Sequence, residues 1–464
     1  MTLNSMRMEE IELAQRQGNS LFVRDSLRNL SRNEIPESLL LRVCQVARRV
    51  DYASKALLLL RDRVLDLPAT RRPDPNELCE YAACLIKVGA YAEALRLLQT
   101  VSLEKAPEAA KFMGFASIHQ WDYTAAIPFL KRYIDGLDPK SYEHLIGSMN
   151  LAASLVETER LEEAKEVLGV IRERAEREGH QLLLGNSHEL TAQVHLQLGE
   201  YDAAEGFLEL SMDALKSAPS RYRLYIEKWQ AVVALSRNSK GEAALEALHS
   251  VRERALASNE WEVLRDCDFH ESLARRDPEM FLRLYFGTPH AQYRTVMLRK
   301  NSGIAEIPEL YIMGRGETLF DLATGQVSNE VVLKPEQALH RLATALLQDF
   351  YAPAGVAQLF AKVFSDEQFH PESSPHRIQE LMRRLRSKLK EAGLPLEVES
   401  LERGYKVRLE QIHGFRLQLA ATREVQTDLL SVVRSRFGPT PFKLLDLMEH
   451  VKLPHTTIYR QIKE

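Results

Sequence analysis

The residues best suited to chemistry lie in one basic stretch, Ser374 to Leu409. Five apolar side chains there fall at helical spacing and predict a helix with one buried face: Ile378, Leu381, Met382, Leu385 and Leu389. The remaining surface of that helix carries Gln379, Arg383, Arg384, Arg386 and Lys388. Arginine contacts phosphates as a cation and guanine edges as a bidentate donor. The stretch therefore has the chemistry of a DNA reader, although a basic helical face alone is more often merely solvated.

A predicted β-hairpin follows this helix. Apolar residues alternate with polar ones on both sides of residues 402–404, which supply the turn. Arg403 lies in the turn and Lys406 in the second strand.

The helix and hairpin together resemble the winged helix-turn-helix effector domain of OmpR/PhoB-type transcriptional regulators. Leu-Arg-Ser-Lys-Leu at 385–389 matches the end of that family's recognition helix, and Gly-Tyr at 404–405 matches the Gly-Tyr of its wing. The family usually has Arg-Gly-x before Gly-Tyr, whereas this chain has Leu-Glu-Arg at 401–403. The resemblance implies that the helix enters the major groove and that the wing lies along the backbone. It implies DNA contact by Arg383, Arg384 and Arg386, base reading by Gln379 and phosphate contact by Lys388, while Arg403 and Lys406 could replace the missing Arg-Gly-x in the minor-groove contact of the wing.

The order of the preceding elements agrees with this resemblance. Residues 310–322 are strand-like, with glycines expected at a turn, and two apolar helices follow at about 334–347 and 356–364. A short sheet, two helices, a basic helix and a hairpin is the order of a winged helix-turn-helix. We assign this domain to residues 307–410 and treat residues 286–306 as a linker.

Residues 411–464 predict a second helix-turn-helix-like helical segment, beginning with a helix from Leu417 to Phe437. Its last part resembles the start of the recognition helix in many bacterial regulators. That resemblance makes Thr456, Thr457, Tyr459 and Arg460 candidates for DNA contact. The alternative is a helical cap that packs on the first reader or mediates dimerisation.

A six-residue pattern recurs through residues 1–285. It appears at 89–94, 121–126, 159–164 and 199–204, where a turn residue is followed by Tyr or Leu and, three positions later, by Ala. The intervals of about 32 to 40 residues are those of helix-turn-helix repeats. These copies resemble tetratricopeptide repeats, which implies a stacked helical array that binds a protein or peptide partner.

The composition is that of a globular protein: 464 residues, 45% hydrophobic and 27% charged, with a net charge of −4. The net charge is −7 over residues 1–286 and +3 over the remainder. No apolar run reaches the length of a membrane span, and no signal-peptide core is present at the N-terminus, so we expect no membrane partner and a cytoplasmic location. No nucleotide-binding or hydrolase motif occurs, and we predict neither a cofactor nor an enzyme.

The fold class predicted is mostly α: a tetratricopeptide-like solenoid, a winged helix-turn-helix domain and a small C-terminal helix-turn-helix. The function predicted is that of a DNA-binding transcriptional regulator whose array senses a ligand or partner or mediates oligomerisation, for example as a homodimer. The alternative is a scaffold or adaptor whose winged helix is itself a protein-interaction module, because a fold does not fix a function.

Overall fold

The computed structural model describes residues 3–68, 71–239, 241–394, 397–401, 404–408 and 413–420. Most of the array lies in sixteen helices: α1 (Ser5–Arg16), α2 (Ser20–Arg28), α3 (Glu37–Arg49), α4 (Ala53–Val64), α5 (Pro75–Val88), α6 (Tyr91–Leu98), α7 (Glu108–His119), α8 (Tyr123–Asp135), α9 (Tyr142–Glu157), α10 (Leu161–Glu178), α11 (Gln181–Gln197), α12 (Tyr201–Ala214), α13 (Ser220–Arg237), α14 (Glu242–Ser258), α15 (Trp261–Arg275) and α16 (Pro278–Phe286). The remaining elements are α17 (Ala291–Lys300), β1 (Leu310–Asp321), β2 (Gln326–Val327), β3 (Glu330–Val331), α18 (Ala338–Leu346), α19 (Val356–Val363), α20 (Ser373–Glu391), β4 (Val398–Leu401), β5 (Gly404–Val407) and β6 (His413–Ala420).

The repeated six-residue pattern marks the turn between the two helices of a pair. Its first residue has a positive φ in each copy: 91° at Gly89, 60° at Trp121, 59° at Glu159 and 77° at Gly199. The second helix of each pair then begins at the Tyr or Leu of the pattern. The alanine three positions later is fully buried in all four copies, which lets the paired helices approach closely: Ala94, Ala126, Ala164 and Ala204. The predicted helical repeat array is confirmed.

The helices of the array pack against one another in chain order. Each helix from α3 to α15 packs on the next, and α3 also contacts α5, as α5 contacts α7. Because an amphipathic pair cannot cover its own apolar face, this stacking is what builds a continuous core.

The segment predicted as a linker, 286–306, contains helix α17. Tyr293 and Met297, one turn apart, are both buried and anchor the helix to the array. The linker prediction was wrong here because the buried face of so short a helix consists of only these few residues. Gln292 donates to the Asp122 carboxylate over 2.9 Å, and Arg299 pairs with Glu159 over 2.8 Å, so α17 crosses back to the α7–α8 and α9–α10 turns.

A smaller unit, made of strands β1–β6 and helices α18–α20, follows α17, and we call it the small unit. Its sheet has the order β3-β2-β1-β6, and β4 and β5 form the predicted hairpin. Gly314 and Gly316 of β1 both have positive φ, and the residues before and after them pair with the same part of β6, as Met313 and Phe320 both do with Leu417, so the chain changes course at the glycines predicted to form a turn. The five apolar residues predicted to form the buried stripe of α20 are each at most 7% exposed.

Strand β6 corrects the expected helix at Leu417. Residues 413–420 pair antiparallel with β1 instead of starting a helix. Leu417 is fully buried and Leu419 is 6% exposed, whereas Gln418 between them is only half-buried. This period of two is that of a strand with one buried face. The sheet therefore extends past residue 410, and the rest of the predicted helix lies outside the described residues.

The small unit is held against the array by buried polar contacts. The Arg265 guanidinium, which is fully buried, donates to both oxygens of Asp349 over 2.9 and 2.8 Å. Nearby, Tyr351 donates to Asp268 over 2.8 Å. Gly287 lies so close to the Phe350 ring that an added Cβ would approach it to 2.2 Å, so a side chain at 287 would disturb this junction.

Candidate functional site

The residues predicted to read DNA lie mostly on the outer face of α20. Gln379, Arg383, Arg384, Arg386 and Lys388 are all exposed. Two of these arginines are already engaged within the chain. Arg383 forms two hydrogen bonds with the Glu380 carboxylate, of 3.0 and 2.7 Å, and Arg386 donates to the Val398 carbonyl over 2.6 Å. The structure thus brings the five side chains to one surface, but two of them, Arg383 and Arg386, already form hydrogen bonds within the chain.

The start of α20 faces the array. Pro371 and Pro375 border a cleft of about 820 Å³ whose opposite wall includes Phe112 and His119 of α7. Across the same junction the Phe369 amide donates to Glu93 of α6 over 3.0 Å. In a helix-turn-helix the N-terminal residues of the recognition helix contact base edges. Here that end of the helix lies beside another part of the protein.

The hairpin also contacts the array. The Lys406 ammonium lies 4.3 Å from the centre of the Trp261 ring, at the first residue of α15. Such a cation–π contact partly satisfies the charge that was predicted to meet DNA. The other candidates, Arg403, Thr456, Thr457, Tyr459 and Arg460, lie outside the described residues.

A cavity that sequence reasoning did not identify lies inside the array. It measures about 390 Å³ and is closed on one side by α17. Helices α8, α9, α11, α13, α15 and α17 and the turns beside them contribute its walls, which include Trp121, Glu157, Gln193, Trp229, Asp266 and Tyr293. We call it the inner cavity. Its volume is that of a small-molecule or side-chain site.

Aromatic rings form part of the wall. Trp121 occupies the left-handed turn between α7 and α8, and its ring meets the Tyr293 ring edge-on with centroids 4.9 Å apart. His290 stacks on the same indole at 5.6 Å. Burial lowers the pKa of His290 to about 3, so this ring is neutral near pH 7. The turn residue of one repeat and helix α17 thereby combine to build one side of the cavity.

A buried ion pair adjoins this aromatic wall. Lys228 is 2% exposed, and its ammonium donates to Asp266 over 2.6 Å while lying 4.0 Å from the centre of the Trp229 ring. Tyr293 donates to the other Asp266 oxygen over 3.0 Å. Burial opposes the charge on Lys228, but Asp266 outweighs it and raises the pKa of the ammonium above its ordinary value. Lys228 therefore stays charged inside the array.

Two further carboxyl groups belong to this region. Glu189 accepts from the Trp229 indole over 3.1 Å and from the Gln193 amide over 3.2 Å, and burial raises its pKa. Glu157, the last residue of α9, lines the cavity, and burial raises its pKa to about 7. Raised carboxyl pKa values in a concave site are a common property of binding and catalytic positions.

One sequence signal could have pointed to this cavity. Lys228 lies on the buried stripe of α13, at helical spacing with Leu224, Ala231 and Leu235. A lysine on an apolar stripe requires a partner, because an unpaired buried charge is costly. The partner, Asp266, is 38 residues away on α15, and this pairing cannot be obtained from helical spacing.

Over the described residues, no cluster of three or more His, Cys, Asp or Glu side chains is arranged to hold a metal ion. No helix in that part of the chain is long and apolar enough to cross a membrane.

The molecule is thus a helical repeat array with a three-helix and hairpin unit packed on it. No protein-family model matches the sequence, and no curated protein matches it significantly. Among solved structures it is similar to MamA MSR-1 C2, at 17% identity and a TM-score of 0.32, over 39% of this chain and 95% of that one. It is also similar to a Rap protein complexed with competence and sporulation factor, at 13% identity and a TM-score of 0.45, over 84% of this chain and 98% of that one. These similarities are too low to support a conclusion about this protein, so the description of its architecture is based on the helix pairs alone.

Proposed function

We propose that the protein is an interaction adaptor whose helical array receives a peptide segment of a partner in the inner cavity. The observation that carries this proposal is the cavity itself, about 390 Å³ in volume and lined by aromatic, amide and charged side chains. Convergent polar groups within an otherwise aromatic pocket are typical of a ligand site. Because α17 closes the cavity and leads directly into the small unit, an occupant would contact the element that joins the two parts.

Selection of peptides from a random display library with the full-length chain tests this function. Selected peptides would then be titrated against the chain while tryptophan emission is followed, since two of its three tryptophans line the cavity. We expect the emission to change in a saturable way.

A blocking variant and its control locate the site. Thr295→Trp places a large ring on α17 at the cavity wall and should abolish binding. Leu298→Trp puts the same residue at an exposed position of the same helix that does not line the cavity, and should leave binding unchanged. The proposal fails if no peptide is selected, or if both variants bind as the unmodified chain does.

DNA reading is the second candidate function, favoured by one observation. Arg384 and Lys388 remain exposed on α20 with no ion-pair partner among the described residues, in a unit whose helices and hairpin have the winged-helix order. It ranks second because Arg383, Arg386 and Lys406 are engaged within the chain. A duplex lying along the hairpin would have to displace Trp261 from Lys406.

Fluorescence anisotropy with mixed-sequence duplex DNA at low salt separates the two candidates. A DNA reader would bind, would weaken steeply as salt rises because counterions are released, and would lose affinity in Arg384→Ala. An adaptor without DNA-reading activity would show no binding at the lowest salt concentration. Arg254→Ala, which removes an exposed arginine from the array, serves as the matched control.

A further inference from the structure

The charges that line the inner cavity do not balance one another. Arg299 is paired with Glu159 over 2.8 Å, and Lys228 with Asp266 over 2.6 Å. Among the described residues Glu157 has neither a hydrogen-bond partner nor an ion-pair partner for its carboxyl group. Lys300 also lines the cavity and its charge acts on Glu157, but it is an exposed side chain at the end of α17 and forms no ion pair with Glu157 among the described residues.

The position of Glu157 in its helix strengthens the negative potential there. It is the last residue of α9, where the aligned peptide dipoles end, although the carbonyls of Ser154, Leu155 and Val156 already accept hydrogen bonds from the turn and from Gln197. A helix C-terminus carries a partial negative charge and attracts cations. The carboxyl group and the helix end therefore both make the electrostatic potential in the cavity more negative.

The walls around this carboxyl group are aromatic. Trp121, Trp229 and Tyr293 line the same cavity as Glu157. Aromatic faces attract cations more strongly when water is excluded. The protein already makes this contact once in the cavity wall, where the Lys228 ammonium lies 4.0 Å from the centre of the Trp229 ring.

The cavity histidines do not supply the missing positive charge. Burial lowers the pKa of His270 to about 3, so it is neutral near pH 7. Burial also raises the pKa of Glu157 to about 7, so a cation bound beside it would favour the ionised over the protonated carboxyl group.

We infer that the inner cavity accepts the ammonium or guanidinium group of a lysine or arginine side chain from the partner segment, with Glu157 as its counter-ion and the ring of Trp121 or Tyr293 against it. The inference rests on the proposed function and specifies its ligand: a segment with one basic residue, not an acidic or wholly apolar one.

Matched peptides test this inference directly with the full-length chain. The probes are acetylated, amidated pentapeptides of alanine that carry Lys, norleucine, Arg or citrulline at the centre. Norleucine and citrulline keep the length and shape of lysine and arginine without the charge. We expect the charged peptide of each pair to bind about tenfold or more tightly by tryptophan emission, which corresponds to one charge-assisted contact.

Two variants assign the preference to one carboxyl group. Glu157→Gln keeps the size of the side chain and should reduce the charged-over-neutral ratio to about twofold or less. Glu166→Gln, an exposed glutamate on α10 away from the cavity, should keep the full ratio. Circular dichroism of each variant checks that it is folded.

The possible outcomes differ in what they reject. Equal binding within each pair, or an unchanged preference in Glu157→Gln, overturns the basic-ligand inference while leaving the peptide-binding function in place. If neither these pentapeptides nor any library-selected peptide binds, the proposed function and the inference fall together.

Discussion

At the scale of single residues, the most demanding feature is the Lys228–Asp266 pair. Lys228 is 2% exposed and Asp266 19%, so the pair is largely removed from water. A buried pair of this kind adds little net stability compared with apolar residues, but the loss of one partner leaves an uncompensated charge. The same pair also shapes the inner cavity, because Asp266 holds the hydroxyl group of Tyr293.

Asp266→Ala should lower the free energy of unfolding by about 3–5 kcal/mol, because it leaves the Lys228 ammonium buried without a counter-ion. Urea unfolding followed by circular dichroism measures the change. The double variant Lys228→Met, Asp266→Leu should lose much less, since it removes both charges. Asp213→Ala breaks the exposed pair with Lys216 and should change stability by no more than about 0.5 kcal/mol. Equal losses in the two single variants would contradict this account.

The carboxyl group of Glu157 should make stability depend on pH. Burial raises its folded-state pKa from 4.5 to about 7, so folding favours the protonated form. Its contribution is full below the unfolded-state pKa and is lost as the pH rises through the folded-state pKa. The charged groups that act on it from the surrounding helices are Asp266, Lys228, Lys300 and Glu189.

Thermal melting of the unmodified chain and Glu157→Gln between about pH 5 and pH 8 tests this linkage. The two should melt alike at the acidic end. Toward pH 8 the variant should become the more stable by about 1–2 kcal/mol, since it never ionises and the native side chain keeps part of its exposure. A constant difference across the range would mean that Glu157 does not titrate in this window.

Residue patterns in the sequence predicted the features that depend on local spacing. The stripe of α20 and the buried alanines of the repeats follow directly from helical periodicity, and the structure confirms both. The inner cavity was not predicted, because Glu157, Lys228 and Asp266 lie on three different helices. Their proximity depends on how the pairs stack, which local periodicity does not encode.

At the scale of elements, α17 and β6 were the misinterpreted segments. Helix α17 is short and β6 follows a loop, so few residues in either segment show the periodic spacing of apolar side chains that identifies an element. Leu417 and Leu419 of β6 fit either a strand or the start of a helix, and only pairing with β1 distinguishes them. Helix α17 was overlooked for a similar reason, although Gln292 and Tyr293 tie it to the array.

Hydrogen exchange should show that α17 is a structural helix. We expect its amides, buttressed by buried Tyr293 and Met297, to exchange about a hundredfold or more slowly than in an unstructured peptide. Tyr293→Ala should raise exchange throughout α17, whereas Thr295→Ala, at an exposed position, should not. Peptide-level mass spectrometry over residues 288–303 gives the measurement. Free exchange in the unmodified chain would restore the linker interpretation.

At the scale of the whole molecule, one buried arginine joins the array to the small unit. Arg265 from α15 is fully buried, and Asp349 between α18 and α19 accepts two of its hydrogen bonds. One oxygen of Asp349 also accepts from the amides of Tyr351 and Ala352, over 2.8 and 3.0 Å. The same carboxyl group therefore shapes the loop and docks the unit.

Asp349→Ala should release the small unit before the array unfolds, because the buried Arg265 guanidinium loses its partner in that unit and keeps only the Glu262 carboxylate of its own helix as an ion-pair partner, at a cost of about 1–3 kcal/mol. Trp261, which lies against Lys406 of the hairpin, reports on docking. In a background of Trp121→Phe and Trp229→Phe it is the single tryptophan. We expect its emission to change at lower urea than the helical circular dichroism signal in Asp349→Ala. Asp349→Asn should shift less, since its amide oxygen still accepts from the loop, and exposed Asp366→Ala should not shift at all. If both signals keep their original midpoints in Asp349→Ala, the two parts are held together by their other contacts, and a ligand in the array would have to act on the small unit through α17 and not through Arg265.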